Sequence, residues 1–169
     1  RAYDDVVAVA RDASDAARDS AVLIQDTAWP GYEEIPAWIV AGYSTLFAEA
    51  GAQLAAPPDI VAVPTGVGSL LQAAVLHYRC GETQPSVLAV EPEAAAPVLA
   101  SLRAGRMMSI ETAPTIMAGL NCGTPSALAW PVIAAGLDRA VAVTDAEAAR
   151  AVGELAAYGI DAGPCGAAG

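Results

Sequence analysis

The sequence predicts an α/β fold with three layers, in which a mostly parallel sheet carries helices on both faces. Short apolar runs alternate along the chain with longer segments of helical periodicity. The runs are apolar throughout, which is typical of strands buried on both faces. At 169 residues, the chain is long enough for one sizeable domain.

The first half of the chain predicts two helices and two strands. Residues 1–19 place apolar side chains on one stripe, which predicts an amphipathic helix, and the apolar run 20–26 predicts a buried strand. After a loop, Pro36 opens a second helix, because its missing N–H costs nothing in the first turn. That helix ends at Pro57-Pro58. The run 60–63 predicts the next strand.

The middle of the chain repeats this alternation. Apolar residues at helical spacing predict a helix over 69–79, and the run 86–91 predicts a third strand. Residues 93–103 predict another helix. A loop then leads into 115–126, which is rich in small residues and predicted to be partly helical.

The last part of the chain predicts two helices around a fourth strand. Residues 127–138 predict a helix that ends near Gly136, and 139–145 predict the strand. Thr144-x-x-Glu147 is a capping-box pattern that opens the final helix. Gly159 suits the end of that helix.

Composition excludes several classes of function. The net charge of −11 argues against nucleic acid or an anionic membrane as a partner, because both attract basic surfaces. Three dispersed cysteines and a single histidine, His77, predict no metal site or disulfide framework. Free thiols and the absence of a long apolar run favour a cytoplasmic protein. The chain has no lysine, so chemistry that needs a lysine amine cannot be completed by these residues.

The turn Thr65-Gly66-Val67-Gly68-Ser69 is the strongest local signal for a ligand. It follows a predicted buried strand and opens a helix, where unpaired N–H groups and the helix dipole favour an anion. The two glycines let a ligand approach the backbone closely. The turn therefore predicts a phosphate-binding site, with Ser69 as both helix cap and donor to the anion.

Two phosphate ligands fit this turn. A dinucleotide is indicated by Gly66, Gly68 and an acid at the end of the next strand, Glu91, but Leu71 stands where the fingerprint has its third glycine. A single phosphate, such as that of pyridoxal phosphate, does not require that glycine. The turn alone leaves both ligands open.

Two further stretches carry a family resemblance. IQDTAWPGYEEIPAWIVAGY (24–43) and TIMAGLNCGTPSALAWP (115–131) resemble segments of the diaminopropionate ammonia-lyases, in the β-family (fold type II) of pyridoxal-phosphate enzymes, the tryptophan synthase β-like group. VPTGVGSLLQAAV and VLAVEPEAA lie between them in the family's order. The resemblance runs over nearly the whole chain.

The resemblance implies an α,β-elimination on 2,3-diaminopropionate that gives pyruvate and ammonia, with pyridoxal 5′-phosphate as cofactor. The residues that match the family's cofactor loop are Gly66, Val67, Gly68 and Ser69. Asp26, in QDTAW, is the candidate general acid or base, and an Asx-turn or cap is the structural alternative for it. The segment matched near the substrate contributes Thr115, Met117 and Gly119, which a tight helix packed through small residues would explain equally well.

The chain is expected to be a piece of a longer polypeptide, because it starts at Arg1 within a helical pattern and stops at Gly169 where a new helix would begin. The family's Schiff-base lysine is expected upstream, so this piece alone is expected to be inactive. Residues 1–19 are expected to belong to the neighbouring small domain, and 20–169 to be part of the large domain. The full-length protein is expected to form a homodimer and to act on a small amino acid.

One departure from the family leaves a further alternative open. The segment 163–167 reads Gly-Pro-Cys-Gly-Ala, where the family tends to have Gly-Glu-Ser-Gly-Ala, so a carboxylate and a hydroxyl are missing. Together with the lack of lysine, this departure allows a non-catalytic module that binds a phosphate-bearing molecule. The dinucleotide-binding oxidoreductase is the other alternative.

Overall fold

The computed structural model describes residues 3–17, 20–81 and 83–169, and in that part of the chain three parallel strands form one sheet. The strands are β1 (Ile60–Pro64), β2 (Ser86–Pro92) and β3 (Arg139–Val143), in the order β1-β2-β3. Val63 is paired with Ala89, and Val90 with Val141. The predicted parallel α/β sheet is confirmed.

Seven helices surround the strands in the described ranges, namely α1 (Tyr3–Ala17), α2 (Glu34–Gln53), α3 (Ser69–Arg79), α4 (Pro97–Ala104), α5 (Ala129–Gly136), α6 (Asp145–Ala157) and α7 (Pro164–Ala167). A 3-10 turn, Ala118–Leu120, lies in the loop between α4 and α5. The ends of the predicted 1–19 helix, at 1–2 and 18–19, lie outside the described residues.

Helices cover both faces of the sheet. On one face, Val63, Val87 and Ala89 pack into a core with the buried apolar side chains of α2, α3 and α5. On the other face, Val143 at the end of β3 packs with Ala148 of α6 and with the last residues of the chain. Side chains point to opposite faces alternately along a strand, so β3 contributes Ala140 to the first core and Val143 to the second. The predicted three-layer arrangement is confirmed.

The prediction of a strand over 20–26, the first along the chain, is wrong. Residues 21–25 have no regular secondary structure, and the side chains of Val22 and Ile24 are 71% and 73% exposed. The backbone here bonds to side chains nearby in sequence, since the N–H of Gln25 donates to Tyr32 Oη and the Gln25 side chain closes onto Thr27. Apolar composition alone therefore did not identify a strand.

The last long helix begins and ends as its sequence predicts. Thr144 Oγ1 accepts from the N–H of Glu147, and the Glu147 carboxylate accepts from the N–H of Thr144, which completes the capping box. At the other end Gly159 has a φ of +77°, and the next N–H bonds back to Leu155. No helix among the described residues has the length and apolar character needed to cross a membrane.

Candidate cofactor and substrate cavity

A cavity of about 290 Å³ lies at the carboxyl end of β1, where the chain turns into α3. Ligands of open parallel sheets bind at this edge, beyond the ends of the strands. Its walls come from α1, α2, the β1–α3 turn and the loop before α5. The lining residues are Tyr3, Asp26, Tyr43, Pro64 to Leu71, Gly119, Leu120 and Cys122.

The glycine turn forms the floor of this cavity, and it requires both of its glycines. Gly68 is the N-cap of α3 and has a φ of +96°, a conformation that side chains disfavour. A Cβ on Gly68 would lie 2.8 Å from Ile133 Cδ1, and one on Gly66 would lie 3.2 Å from Cys122 Sγ. The turn thus packs against Ile133 at Gly68 and against Cys122 of the cavity wall at Gly66.

Backbone hydrogen bonds hold the turn in place. The N–H of Thr65 donates to Val90 O on the neighbouring strand at 2.8 Å, and Thr65 Oγ1 donates to Val63 O at 2.8 Å. The carbonyl of Val67 accepts from the N–H of Ser126 at 2.8 Å. The first N–H groups of α3 have no partner inside the helix, as at any helix N-terminus. The turn therefore presents N–H groups from a fixed backbone.

Asp26 lies in the same cavity and meets the first residue of α3. The Ser69 hydroxyl donates a hydrogen bond to Asp26 Oδ2. Tyr3 Oη donates to Asp26 Oδ1 at 3.5 Å and lies 3.2 Å from Thr27 Oγ1. Both carboxylate oxygens thus face hydroxyl groups. The Asx-turn alternative is not what the structure shows for this side chain, since its partners are Ser69 and Tyr3.

Ser69 differs from its prediction in one respect. The N-cap of α3 is Gly68, and no side chain caps the helix, because the Ser69 hydroxyl is directed to Asp26. The prediction that Ser69 caps α3 is wrong. Its role towards a phosphate stays a prediction, which its backbone N–H at the helix start still allows.

The two tyrosines that line the cavity are neutral hydrogen-bonding groups. Burial raises the pKa of Tyr3 to about 12, with a further contribution from the nearby Asp26 carboxylate. Burial also raises the pKa of Tyr43, and the Asp26 charge acts in the same direction. Phenols with raised pKa values remain protonated at neutral pH. Asp26 is the only charged side chain in the cavity wall formed by the described residues.

The three residues predicted to lie near the substrate occupy different places in the structure. Gly119 lines the cavity, and its carbonyl is near the glycine turn. Met117 is fully buried in the core beside α6. Thr115 Oγ1 donates to Asp145 at the start of α6, outside the cavity wall. Only Gly119 of these three is placed beside the predicted cofactor loop.

Sequence reasoning missed the contributions of Tyr3, Tyr43 and Cys122. Tyr3 and Tyr43 stand on helices whose patterns predicted only amphipathic packing, and their contact with Asp26 depends on how those helices dock. Cys122 is 2% exposed and also lines the cavity. Its closeness in sequence to Gly119 is the local signal that could have indicated it.

Glu91 is not placed for a nucleotide ribose. Its side chain is fully buried, and its two oxygens accept from the N–H groups of Val98 and Leu99, each at 2.8 Å, at the start of α4. Burial raises the pKa of Glu91 to about 7. The acid on which the dinucleotide alternative depended thus serves as an internal partner of α4.

The family model for pyridoxal-phosphate-dependent enzymes matches residues 1–169. The chain belongs to this family. The diaminopropionate ammonia-lyase of Salmonella typhimurium is 39% identical over 140 residues, which are 78% of this chain and 34% of that protein. The biosynthetic L-threonine dehydratase of Mycobacterium leprae is 30% identical over 168 residues, which are 98% of this chain and 37% of that protein.

The solved structures confirm a fold type II enzyme. The diaminopropionate ammonia-lyase of Escherichia coli, in complex with an aminoacrylate–pyridoxal-phosphate azomethine reaction intermediate, superposes with a TM-score of 0.85 at 32% identity, over 99% of this chain and 44% of that one. The chain spans about a third of the length of the curated relatives it matches. The family's cofactor is pyridoxal phosphate, and the family supports neither the dinucleotide alternative nor the non-catalytic one.

The residues present fit that cofactor. A Cβ on Gly68 would collide with Ile133 and one on Gly66 would crowd Cys122, so both positions favour glycine and leave the backbone of the turn uncovered by side chains. An anion at this place would face the N-terminus of an 11-residue helix. Among the described residues, the cavity wall carries one negative side chain, that of Asp26, which is hydrogen-bonded to Ser69 at the start of that helix. A phosphate on the turn and a proton-accepting carboxylate beside it therefore fit in one cavity.

Proposed function

We propose that this chain is part of a pyridoxal-phosphate-dependent carbon–nitrogen lyase that eliminates ammonia from 2,3-diaminopropionate and gives pyruvate. The observation that carries the proposal is the hydrogen bond between Asp26 and Ser69. It joins the candidate acid/base group to the first residue of the helix that follows the glycine turn. Similarity to the ammonia-lyases of two bacteria supports the choice of reaction.

The glycine turn anchors the cofactor. The backbone N–H groups of Gly66, Val67, Gly68 and Ser69 would hold its phosphate, assisted by the positive end of the α3 dipole. When bound, pyridoxal phosphate would supply an electron sink for the elimination. The turn's task is to fix the position of the cofactor, since its backbone is already anchored to β2 and to Ser126.

Asp26 moves protons in the cavity. Its carboxylate accepts hydrogen bonds on both oxygens, which keeps it in one orientation at the cavity wall. A carboxylate in that position can take the α-proton of a bound amino acid or return a proton to a leaving amine. Gly119 adds a wall without a side chain next to the turn, which leaves room for the substrate. Thr115 and Met117 would act only through the placement of this loop.

The remaining parts of the active protein would come from a longer polypeptide. The Schiff-base lysine must lie elsewhere, because these 169 residues contain no lysine. We assign residues 1–19 to a neighbouring small domain and 20–169 to part of the large domain. We expect a homodimer in the cytoplasm. Cys165, in the divergent 163–167 segment, has its Sγ 3.3 Å from where a Cβ on Gly119 would lie, so this segment adjoins the site.

The test uses the full-length polypeptide that contains this chain. The protein is mixed with pyridoxal phosphate, and pyruvate formation from 2,3-diaminopropionate is measured beside the visible absorbance of the bound cofactor. Both enantiomers of diaminopropionate are compared with serine and threonine, since a threonine dehydratase is among the relatives. Fastest turnover of diaminopropionate with release of ammonia supports the proposal. Faster turnover of threonine, yielding its keto acid, would replace it with a dehydratase.

A further inference from the structure

Tyr3 is the cavity residue whose task the proposed reaction leaves unexplained. It lies on α1, far from the glycine turn in sequence, yet its phenol oxygen reaches both Asp26 and Thr27. A second contact fixes the same helix to the same segment, because the Arg11 guanidinium lies 5.7 Å from the centre of the Trp29 ring. The helix is thus docked against the Asp26 segment at two places.

Either hydroxyl of the Tyr3–Thr27 pair could be the donor, and an ionised Asp26 carboxylate decides between them. Asp26 can only accept when ionised, so the single phenol proton of Tyr3 is donated to Asp26 Oδ1. The Thr27 hydroxyl, 3.2 Å away, then donates to the phenol oxygen. On the other side, Ser69 donates to Asp26 Oδ2. The carboxylate is therefore held between hydroxyl groups from α1 and from α3.

We infer that Tyr3 is a positioning residue, which holds the Asp26 carboxylate in the orientation needed for proton transfer in the cavity. The inference rests on the proposed function, in which Asp26 transfers the protons. It assigns α1 a place in the active site in addition to packing. The phenol stays neutral because burial raises its pKa to about 12, so it can donate at every pH at which such an enzyme would be assayed.

The kinetic test compares Tyr3→Phe with Tyr158→Phe in the full-length holoenzyme. Tyr3→Phe keeps the ring and removes one hydroxyl, whereas Tyr158 is 84% exposed and distant from the cavity. We expect Tyr3→Phe to lower kcat about threefold to tenfold, the range for one lost hydrogen bond, with KM within about twofold. Tyr158→Phe should match the wild type. An unchanged kcat in Tyr3→Phe overturns the inference.

A second variant tests whether Tyr3 acts through its hydrogen bonds or whether Tyr3→Phe merely disturbs folding. Thr27→Val removes the hydroxyl that donates to Tyr3, while the ring of Tyr3 is untouched. It should lower kcat less than Tyr3→Phe, and the double variant should be no slower than Tyr3→Phe alone, because both changes break one chain of hydrogen bonds. Effects on kcat that simply multiply would mean that Tyr3 and Thr27 act independently, which contradicts the inference.

The remaining arm of the test needs no cofactor or turnover. 3-Fluorotyrosine is placed at position 3 of the cofactor-free protein, because fluorination lowers the phenol pKa into an accessible range, and its ¹⁹F resonance is titrated. Cys122 and Asp26 are the ionisable groups that act on this phenol. Asp26→Asn should lower the titration midpoint, and Asp59→Asn, an exposed control, should not. An unmoved midpoint in Asp26→Asn overturns the contact. Lack of turnover with a moved midpoint would reject the proposed reaction but keep the contact.

Discussion

Two helix N-termini in this molecule each meet a carboxylate, but in different ways. At the start of α4, Glu91 accepts from the backbone N–H groups of Val98 and Leu99. At the start of α3, Asp26 accepts a hydrogen bond from the side-chain hydroxyl of Ser69. No carboxylate in the described part of the chain accepts from the backbone N–H groups of 66–69. The N–H groups at the start of α4 thus bond to a carboxylate of the chain itself, whereas those at the start of α3 do not.

The two carboxylates also differ in how deeply they are buried. Glu91 is completely buried, and burial raises its pKa to about 7. Asp26 is half-buried and lines a cavity with two neutral tyrosines. A buried carboxylate whose oxygens are fully used stabilises the fold, whereas one that lies at a cavity wall between hydroxyl donors can exchange protons with a ligand. Substitution of Asp26 should therefore lower the catalytic rate, and substitution of Glu91 should lower the stability of the fold.

The largest difference is expected in catalysis. Asp26→Asn in the full-length enzyme should lower kcat by about 10²- to 10⁴-fold, the range for loss of a general acid or base, with little change in the melting temperature. Initial rates of pyruvate formation and thermal unfolding measure the two quantities. Asp59→Asn, at an exposed position before β1, is the matched control. If Asp26→Asn keeps more than about a tenth of the wild-type kcat, Asp26 is not the general acid or base.

The second prediction concerns stability and its pH dependence at Glu91. Because the folded-state pKa of about 7 exceeds the ordinary glutamate value of 4.5, this group stabilises the fold fully below pH 4.5 and loses that contribution as the pH rises through 7. The loss amounts to roughly 3 kcal/mol at most. Glu91→Gln should lower the melting temperature at pH 5, since an amide cannot accept from both N–H groups, and should flatten the fall in stability towards pH 8.

Glu111→Gln is the control for that measurement, because Glu111 is exposed. It should reproduce the pH dependence of the wild type, and kcat should stay near the wild-type value in Glu91→Gln protein that remains folded. A pH dependence that is equally steep in Glu91→Gln would show that Glu91 does not titrate in this range.

The site illustrates how far sequence patterns reach. The glycine turn and Asp26 could be singled out because each is marked locally, by glycines at a strand end or by a short motif. The structure brings both to one cavity, and their roles stay predictions. Tyr3 and Tyr43 could not, since their contact with Asp26 arises only when α1 and α2 dock. Glu91 was predicted as a possible ribose ligand from its position at a strand end, and its true partners belong to the next helix.

The fold shows the same limit. Runs 60–63 and 86–91 are strands, whereas 20–26 has a similar apolar composition and is not. A strand needs a neighbour with which to exchange backbone hydrogen bonds, and in the described structure Gln25 bonds to Tyr32 and Thr27. The capping box of α6 was predicted correctly because all its partners lie within four residues.

The third prediction tests whether the α3 terminus depends on its backbone shape. Gly68→Ala forces a side chain into a φ of +96° and towards Ile133, at a cost of about 1–2 kcal/mol before the contact is relieved. The cofactor affinity, measured by titration of the cofactor absorbance, should fall. Gly42→Ala is the control, since Gly42 lies in α2 with nothing within 4 Å of its added Cβ. That substitution should leave the affinity unchanged and raise stability slightly.

The smallest effect is expected at a third carboxylate that serves a helix N-terminus. Glu147 accepts from the N–H of Thr144 at 2.8 Å, and this backbone hydrogen bond lowers the pKa of its exposed carboxyl. The stabilisation is present above the ordinary glutamate pKa of 4.5 and is lost as the pH falls through the lowered value, which is opposite in sign to Glu91. Glu147→Gln should lower the melting temperature by a small amount at pH 7, and the difference from wild type should shrink towards pH 4. The melting-temperature difference from wild type should therefore change with pH in opposite directions for Glu91→Gln and Glu147→Gln. A change in the same direction would mean that burial does not explain the difference between these two carboxylates.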